Sequence, residues 1–181
     1  MRRTLIHIAS LAVAVGSVTL AACGSDSNSP SQLPDATLSM QDQCDSASFN
    51  AGIGAGTCTH QGSVTLAQFN SELTATQKVA AWAFAPTALT IQVGQSIKAM
   101  NDGGEGHTFT EVEAFGGGII PALNTASGNP VEAPECAALA TNALVAPGGT
   151  FTSDAATTVG TEYYQCCIHP WMRATVTITG T

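Results

Sequence analysis

Tyr164-Gln165-Cys166-Cys167-Ile168-His169-Pro170-Trp171-Met172 lies near the end of this chain and gathers thiol, imidazole and thioether groups into residues 166–172. A β-prone run, Glu162-Tyr163-Tyr164-Gln165, leads into it, and a run in which Val176 and Ile178 alternate with Thr175, Thr177 and Thr179 leads out. Alternation with a period of two marks a half-buried strand, so the donor-rich segment reads as a tight loop between the last two strands. The same alternation recurs upstream. Leu89, Ile91 and Val93 alternate with Thr90 and Gln92, Val64 and Leu66 repeat the pattern near the start, and Thr150-Phe151-Thr152 is a further β-prone run. Pro86, Gly94, Pro147-Gly148-Gly149 and Gly160 punctuate these runs as turns. Seven or eight short strands predict an all-β, two-sheet antiparallel sandwich. Residues 71–78 read as a helical turn or an irregular connection. Residues 114–146, rich in Gly, Pro, Ala and Asn, read as a long loop insertion with a short helix at 136–140. An insertion of that length in a compact domain is usually functional or specially constrained.

The donors have a chemistry of their own. Cys166, His169 and Met172 fall at a Cys-x-x-His-x-x-Met spacing, and the Gly-rich stretch Asn101-Asp102-Gly103-Gly104-Glu105-Gly106-His107 supplies a second imidazole. Two histidines, one cysteine and a weak axial methionine are the ligand set of a blue-copper electron-transfer centre, because imidazole suits both copper states while thiolate and thioether favour the softer Cu(I). Singly, each residue has an ordinary explanation: a surface histidine, a structural histidine, a core methionine, a disulfide cysteine. It is their coincidence that points to a metal. Strand alternation sends Tyr164 and Cys166 to one face and Cys167 to the other, which makes Cys166 the inward sulfur. His60 reads as a surface residue, and Glu105, Glu111 and Glu113 read as solvated charges.

The segment with its upstream histidine resembles the cupredoxins, the blue-copper proteins that include plastocyanin, amicyanin and azurin. The loop spacing is similar to the short amicyanin type. Trp82-x-Phe84-x-Pro86-x-x-Leu89-Thr90-Ile91-x-x-Gly94 and His107-Thr108-Phe109-Thr110 add to the likeness, which covers residues 61–181. The resemblance implies a Greek-key sandwich, one type 1 copper ion held by His107, Cys166, His169 and Met172, and one-electron transfer. Where many cupredoxins have an asparagine that braces the ligand loop, this chain has Thr108, whose hydroxyl is the candidate brace. Pro170 and Trp171 are expected to form an apolar patch around an exposed edge of His169, serving as electron exit and docking site. The 114–146 insertion and the Cys166-Cys167 doublet depart from the simplest members.

The N-terminus reads as an address. Met1-Arg2-Arg3, an apolar run and Leu20-Ala21-Ala22-Cys23 describe an export signal over residues 1–22 rather than a spanning helix. The last four residues resemble the bacterial lipoprotein box, which implies lipid on Cys23 and anchoring at an extracytoplasmic, periplasm-facing membrane surface. An ordinary secretory signal with an incidental cysteine is the alternative. Residues 24–43 read as a flexible tether and residues 44–60 as a Gly-rich lead-in, so the copper domain is expected over 61–181. The chain beyond residue 22 keeps three basic residues (Lys78, Lys98, Arg173) against 13 acidic ones, a formal charge of −10. Such a surface disfavours nucleic acid and suits transient, basic redox partners.

With Cys23 given to lipid and Cys166 to metal, Cys44, Cys58, Cys136 and Cys167 remain, an even number in an exported chain. Of the three possible connectivities, Cys44–Cys58 with Cys136–Cys167 is favoured. The first would close a short Gly-rich loop and the second would pin the long insertion beside the metal loop. The leading functional expectation is a membrane-tethered one-electron carrier that is not an enzyme. Copper trafficking or sequestration is the alternative, set against the absence of Met-rich or His-rich tracts. A copper enzyme needs a metal with an open position, and a second catalytic ion would have His60 as its lone spare imidazole. A structural domain held by disulfides is the fallback.

Overall fold

The computed structural model describes residues 33–140 and 143–180. The signal segment 1–22, the candidate lipid site Cys23 and tether residues 24–32 lie outside the described residues. Among those described, no helix is long and apolar enough to cross a membrane.

Alternating apolar side chains build eight strands: β1 (Ala36–Gln41), β2 (Ala83–Ala85), β3 (Ala88–Gln92), β4 (Ile97–Asn101), β5 (Thr110–Val112), β6 (Thr150–Thr152), β7 (Gly160–Gln165) and β8 (Arg173–Thr179). They form two four-stranded sheets, ordered β2-β1-β4-β6 and β3-β8-β7-β5. The chain passes from one sheet to the other after β2, β3, β4, β5 and β6, as a Greek-key sandwich requires. Pairing is mostly antiparallel, with one parallel pair in each sheet, β1 with β4 and β3 with β8. Leu38 and Met40 of β1, Phe84 of β2, Ile97 and Ala99 of β4, and Ala174, Val176 and Ile178 of β8 fill the space between the sheets.

The folded body begins earlier than residue 61. β1 lies between β2 and β4, with Ser39 opposite Ala85 and Leu38 opposite Ala99. Residues 36–41 therefore belong to the sandwich rather than to a tether. The lead-in is structured as well. Asp45 caps α1 (Ser46–Gly52) by accepting from the Ser48 N–H at 2.9 Å. A disulfide joins Cys44 to Cys58 across a separation of 14 residues. By chain entropy such a link stabilises by about 3 kcal/mol.

Leu66, read from the sequence as part of a strand, opens a helix instead, α2 (Leu66–Thr76). The reason is local. Thr65 and Gln68 form a reciprocal capping box, each side chain meeting the other residue's backbone N–H. Phe69 and Leu73 then fall on the buried face. Phe69 meets Trp82 edge-on with ring centroids 4.8 Å apart, and Phe49 of α1 stacks on Trp82 at 5.8 Å.

The 114–146 insertion carries two short helices, α3 (Pro121–Ala126) and α4 (Pro134–Ala137). Part of it forms a small cluster in which Val112, Ala133, Cys136 and Cys167 are buried against Phe115 and Leu139, while Leu123, Ala126 and Val145 join the main core. A disulfide joins Cys136 to Cys167. Gln165 of β7 is wholly buried beneath the insertion, accepting from the Gly116 N–H at 2.9 Å and donating to the Gly117 carbonyl at 3.2 Å.

The placement of β1 predicts how truncation behaves. A chain begun at residue 33 is expected to melt in one sharp thermal transition. A chain begun at residue 61 loses the strand between β2 and β4 and is expected to show none, as followed by circular dichroism.

Candidate metal centre

Three segments meet at one end of the sandwich. His107 enters just ahead of β5 and is fixed by backbone pairing with Val145, at 3.1 Å from the His107 N–H and 2.7 Å to the His107 carbonyl. Cys166 directly follows β7 and Met172 directly precedes β8. The loop between them closes on itself. The Cys166 N–H donates to the Met172 carbonyl at 3.0 Å, and the Met172 N–H donates to the His169 carbonyl at 2.9 Å.

Cys166 is the free cysteine among the described residues, and it is completely buried. His107 Nδ1 and His169 Nδ1 each lie 3.9 Å from its sulfur, and the three donor atoms fall within 4.8 Å of one another. Met172 is fully buried in the same core cluster as Cys166. The N–H groups of Thr108 and His169 both point at the Cys166 sulfur, each at 3.5 Å. Burial alone would push this thiol up. Hydrogen bonds from, and positive charge on, the two imidazoles outweigh burial and hold it well below its usual range.

Behind each imidazole stands a carboxylate. His107 Nε2 lies 2.9 Å from Asp42 Oδ2, with both side chains fully buried, and His169 Nε2 lies 3.5 Å from Glu105 Oε2. Asp42 also accepts from the Cys44 N–H at 3.0 Å and the Glu105 N–H at 2.9 Å. Glu105 accepts from Trp82 Nε1 at 2.7 Å. Burial alone would raise the Asp42 carboxyl, but these hydrogen bonds outweigh it and hold the group well below the usual carboxylate range. For Glu105 burial wins, and its carboxyl is raised. Burial also opposes charge on His107, yet Asp42 and the Cys166 sulfur raise it to about 9.

Thr108 is buried, and its hydroxyl oxygen accepts from the Cys167 N–H at 2.8 Å, tying the strand that carries His107 to the Cys166 loop. His60, Glu111 and Glu113 are exposed. Glu105 is not: read as a solvated charge, it is 7% exposed and faces His169. His169 has no exposed edge either. It is 3% exposed, with Trp171, Phe69 and Trp82 rings at 5.5, 6.4 and 6.4 Å. Pro170 is buried and Trp171 half-buried, so the expected patch around an open histidine edge is absent, because Phe69 of α2 and Trp82 cover that ring.

Asp42 falls in the segment whose composition reads as a tether. The signal was there: Leu38, Met40 and Asp42 alternate, and the first two are core residues of β1. Gly103-Gly104 was a second signal. A Cβ on Gly103 would collide with the Asp42 carboxylate, and one on Gly104 with His60 and the Cys44 sulfur.

An ion bonded to sulfur at about 2.3 Å and to nitrogen at about 2.0 Å, near a trigonal angle, separates those donors by roughly 3.7 Å. The observed 3.9 Å spacings match that requirement. The fold is a two-sheet β-sandwich, and its buried His-Cys-His group is compatible with one copper ion.

Solved structures similar to this chain include a purple cupredoxin from Nitrosopumilus maritimus, at 16% identity and a TM-score of 0.45, covering 80% of this chain and 100% of that one. The oxidised form of plastocyanin from Dryopteris crassirhizoma is similar at 17% identity and a TM-score of 0.42, with coverage of 80% and 100%. The reduced Cu(I) form of a P52G mutant of amicyanin is similar at 19% identity and a TM-score of 0.37, with coverage of 56% and 78%. No protein-family model matches the chain, and no curated protein matches its sequence.

Two measurements test the surroundings of the site. Thr108→Val keeps the side-chain shape but leaves the buried Cys167 N–H without its acceptor. Denaturant unfolding is expected to show a loss of about 1–3 kcal/mol. Asp42 has a depressed carboxyl, so its contribution to stability is present above about pH 3.8 and is lost as pH falls further. The metal-free protein should therefore lose melting temperature on acidification below that value, and Asp42→Asn should flatten the loss.

Proposed function

We propose that this chain is a one-electron carrier with a single type 1 copper centre, held at a bacterial membrane by lipid on Cys23. The observation that carries the reading is the convergence of two histidine Nδ1 atoms on a buried, disulfide-free cysteine sulfur. Copper bound there would supply a centre that gains and loses one electron. The chain's own contribution is to hold the donors still. Cys166 supplies a thiolate supported by two backbone N–H groups, the imidazoles of His107 and His169 present Nδ1, and Met172 would be a further, weak donor to copper. The two disulfides and the strand termini keep these groups in place whichever oxidation state is present. Little rearrangement then accompanies electron transfer.

The acidic chain suits transient redox partners with basic surfaces and not nucleic acid. The N-terminal signal and lipid box support export to the periplasm-facing side of a membrane. Copper trafficking uses the same donors, but hand-over needs access, and His107, Cys166 and Met172 are all completely buried. That burial also argues against an enzyme, whose metal would need a position open to substrate.

Copper(II) added to the purified domain should produce an intense visible thiolate-to-copper absorption. Cys166→Ser should abolish it. The paired substitution Cys136→Ser and Cys167→Ser, which removes the neighbouring disulfide without leaving a stray thiol, should retain it. Loss with the paired substitution and retention in Cys166→Ser would assign the wrong sulfur.

A further inference from the structure

A carrier needs thiolate, imidazoles and thioether, but it does not need a buried carboxylate behind each imidazole. We infer that Asp42 and Glu105 are positioning residues that orient the two histidines and lower the centre's reduction potential. This inference rests on the copper reading above.

The geometry repeats at both imidazoles. Each ring turns Nδ1 toward Cys166 and Nε2 toward a carboxylate, Asp42 at 2.9 Å and Glu105 at 3.5 Å. The Asp42 carboxylate can only accept, so the proton of a neutral His107 sits on Nε2 and its Nδ1 lone pair is left for a metal, while the Glu105 charge 3.5 Å from His169 Nε2 favours the same arrangement in that ring. A carboxylate behind a ligating histidine both fixes its orientation and raises its basicity.

The carboxylates are themselves held. Asp42 takes N–H groups from Cys44 and Glu105, and Glu105 takes the indole N–H of Trp82. The Glu105 carbonyl accepts from Asn101 Nδ2 at 2.8 Å, which fixes the backbone between the two acids. The absence of a side chain on Gly103 makes room for the Asp42 carboxylate. Side-chain exposure is 0% for Asp42 and 9% for Glu105, so water and salt screen these charges weakly. A fixed negative charge stabilises an ion of charge +2 more than one of charge +1. Two such charges beside the donor set therefore favour Cu(II).

The test compares the copper-loaded chain with Asp42→Asn and Glu105→Gln, each of which keeps an acceptor oxygen and removes the charge. Exposed Glu132→Gln is the control for general surface charge. Reduction potentials are measured by redox titration of the visible band, and Cu(II) and Cu(I) dissociation constants by competition with chelators. Each site variant is expected to shift the equilibrium at least tenfold toward Cu(I), a rise of about 59 mV for one electron. Cu(II) affinity should fall at least tenfold more than Cu(I) affinity. The control should leave both unchanged. A purely structural role would weaken both affinities by the same factor and leave the potential where it was, and that result overturns the inference. So does an unchanged potential with the visible band intact. If Asp42→Asn does not fold, Glu105→Gln decides by the same criteria. A parent protein lacking the visible band sinks the carrier reading, and this inference with it, and is distinguished by failing before any variant is compared.

Discussion

A completely buried sulfur with two imidazole nitrogens each 3.9 Å away is the constraint that organises this molecule. A thiolate removed from water is costly unless positive charge and N–H groups surround it. The chain meets that demand from three distant segments. The Cys166 loop closes on itself through the Met172 carbonyl. The strand bearing His107 is tied to that loop by the Thr108 hydroxyl, and both imidazoles are backed by acids. None of these groups could stay in place on a mobile loop: Cys166 and Met172 adjoin β7 and β8, His107 is held by backbone pairing with Val145, and His169 sits in a loop closed by its own hydrogen bonds.

The N-terminal segment is as much a part of the site as the loop. Asp42 follows β1 directly, and the neighbouring Cys44 is locked to Cys58. α2 delivers Phe69 against His169 and Trp82. Residues 36–76 thus supply one sheet strand, one carboxylate and part of the apolar cover. The insertion on the other side has a different task. Its disulfide ends at Cys167, the immediate neighbour of the free sulfur, and its backbone engages Gln165 just before it. Cys166 and Cys167 therefore part company at once, one facing the core and the other facing the insertion.

What could be read from the sequence was what short spacing and strong alternation express. The loop from Cys166 to Met172, the upstream His107 and the strands around Val176 and Ile91 all follow from local pattern, as does the opposite facing of adjacent cysteines. Long-range cover does not. β1 was hidden in a segment whose Ser, Asp, Gln and Pro content looks like a linker, although Leu38, Met40 and Asp42 keep strict alternation. α2 was mistaken at its start because two apolar residues, Val64 and Leu66, imitate a strand, while Thr65 and Gln68 carry the stronger capping signal. The exposure of His169 could not be judged from its neighbours in sequence, since Phe69 and Trp82 lie about a hundred residues away in the chain.

That cover changes the physics of the site. An imidazole edge open to solvent would leave any nearby carboxylate in high dielectric, where its charge is felt weakly. Here Phe69, Trp82 and Trp171 close over His169 and bring Glu105 into the same dry environment. Trp82 does both tasks at once, with its ring against Phe69 and its indole N–H on the Glu105 carboxylate. The burial that removes the simplest path for an electron, through an open histidine edge, is thus the same burial that gives the two acids their influence on the donor set.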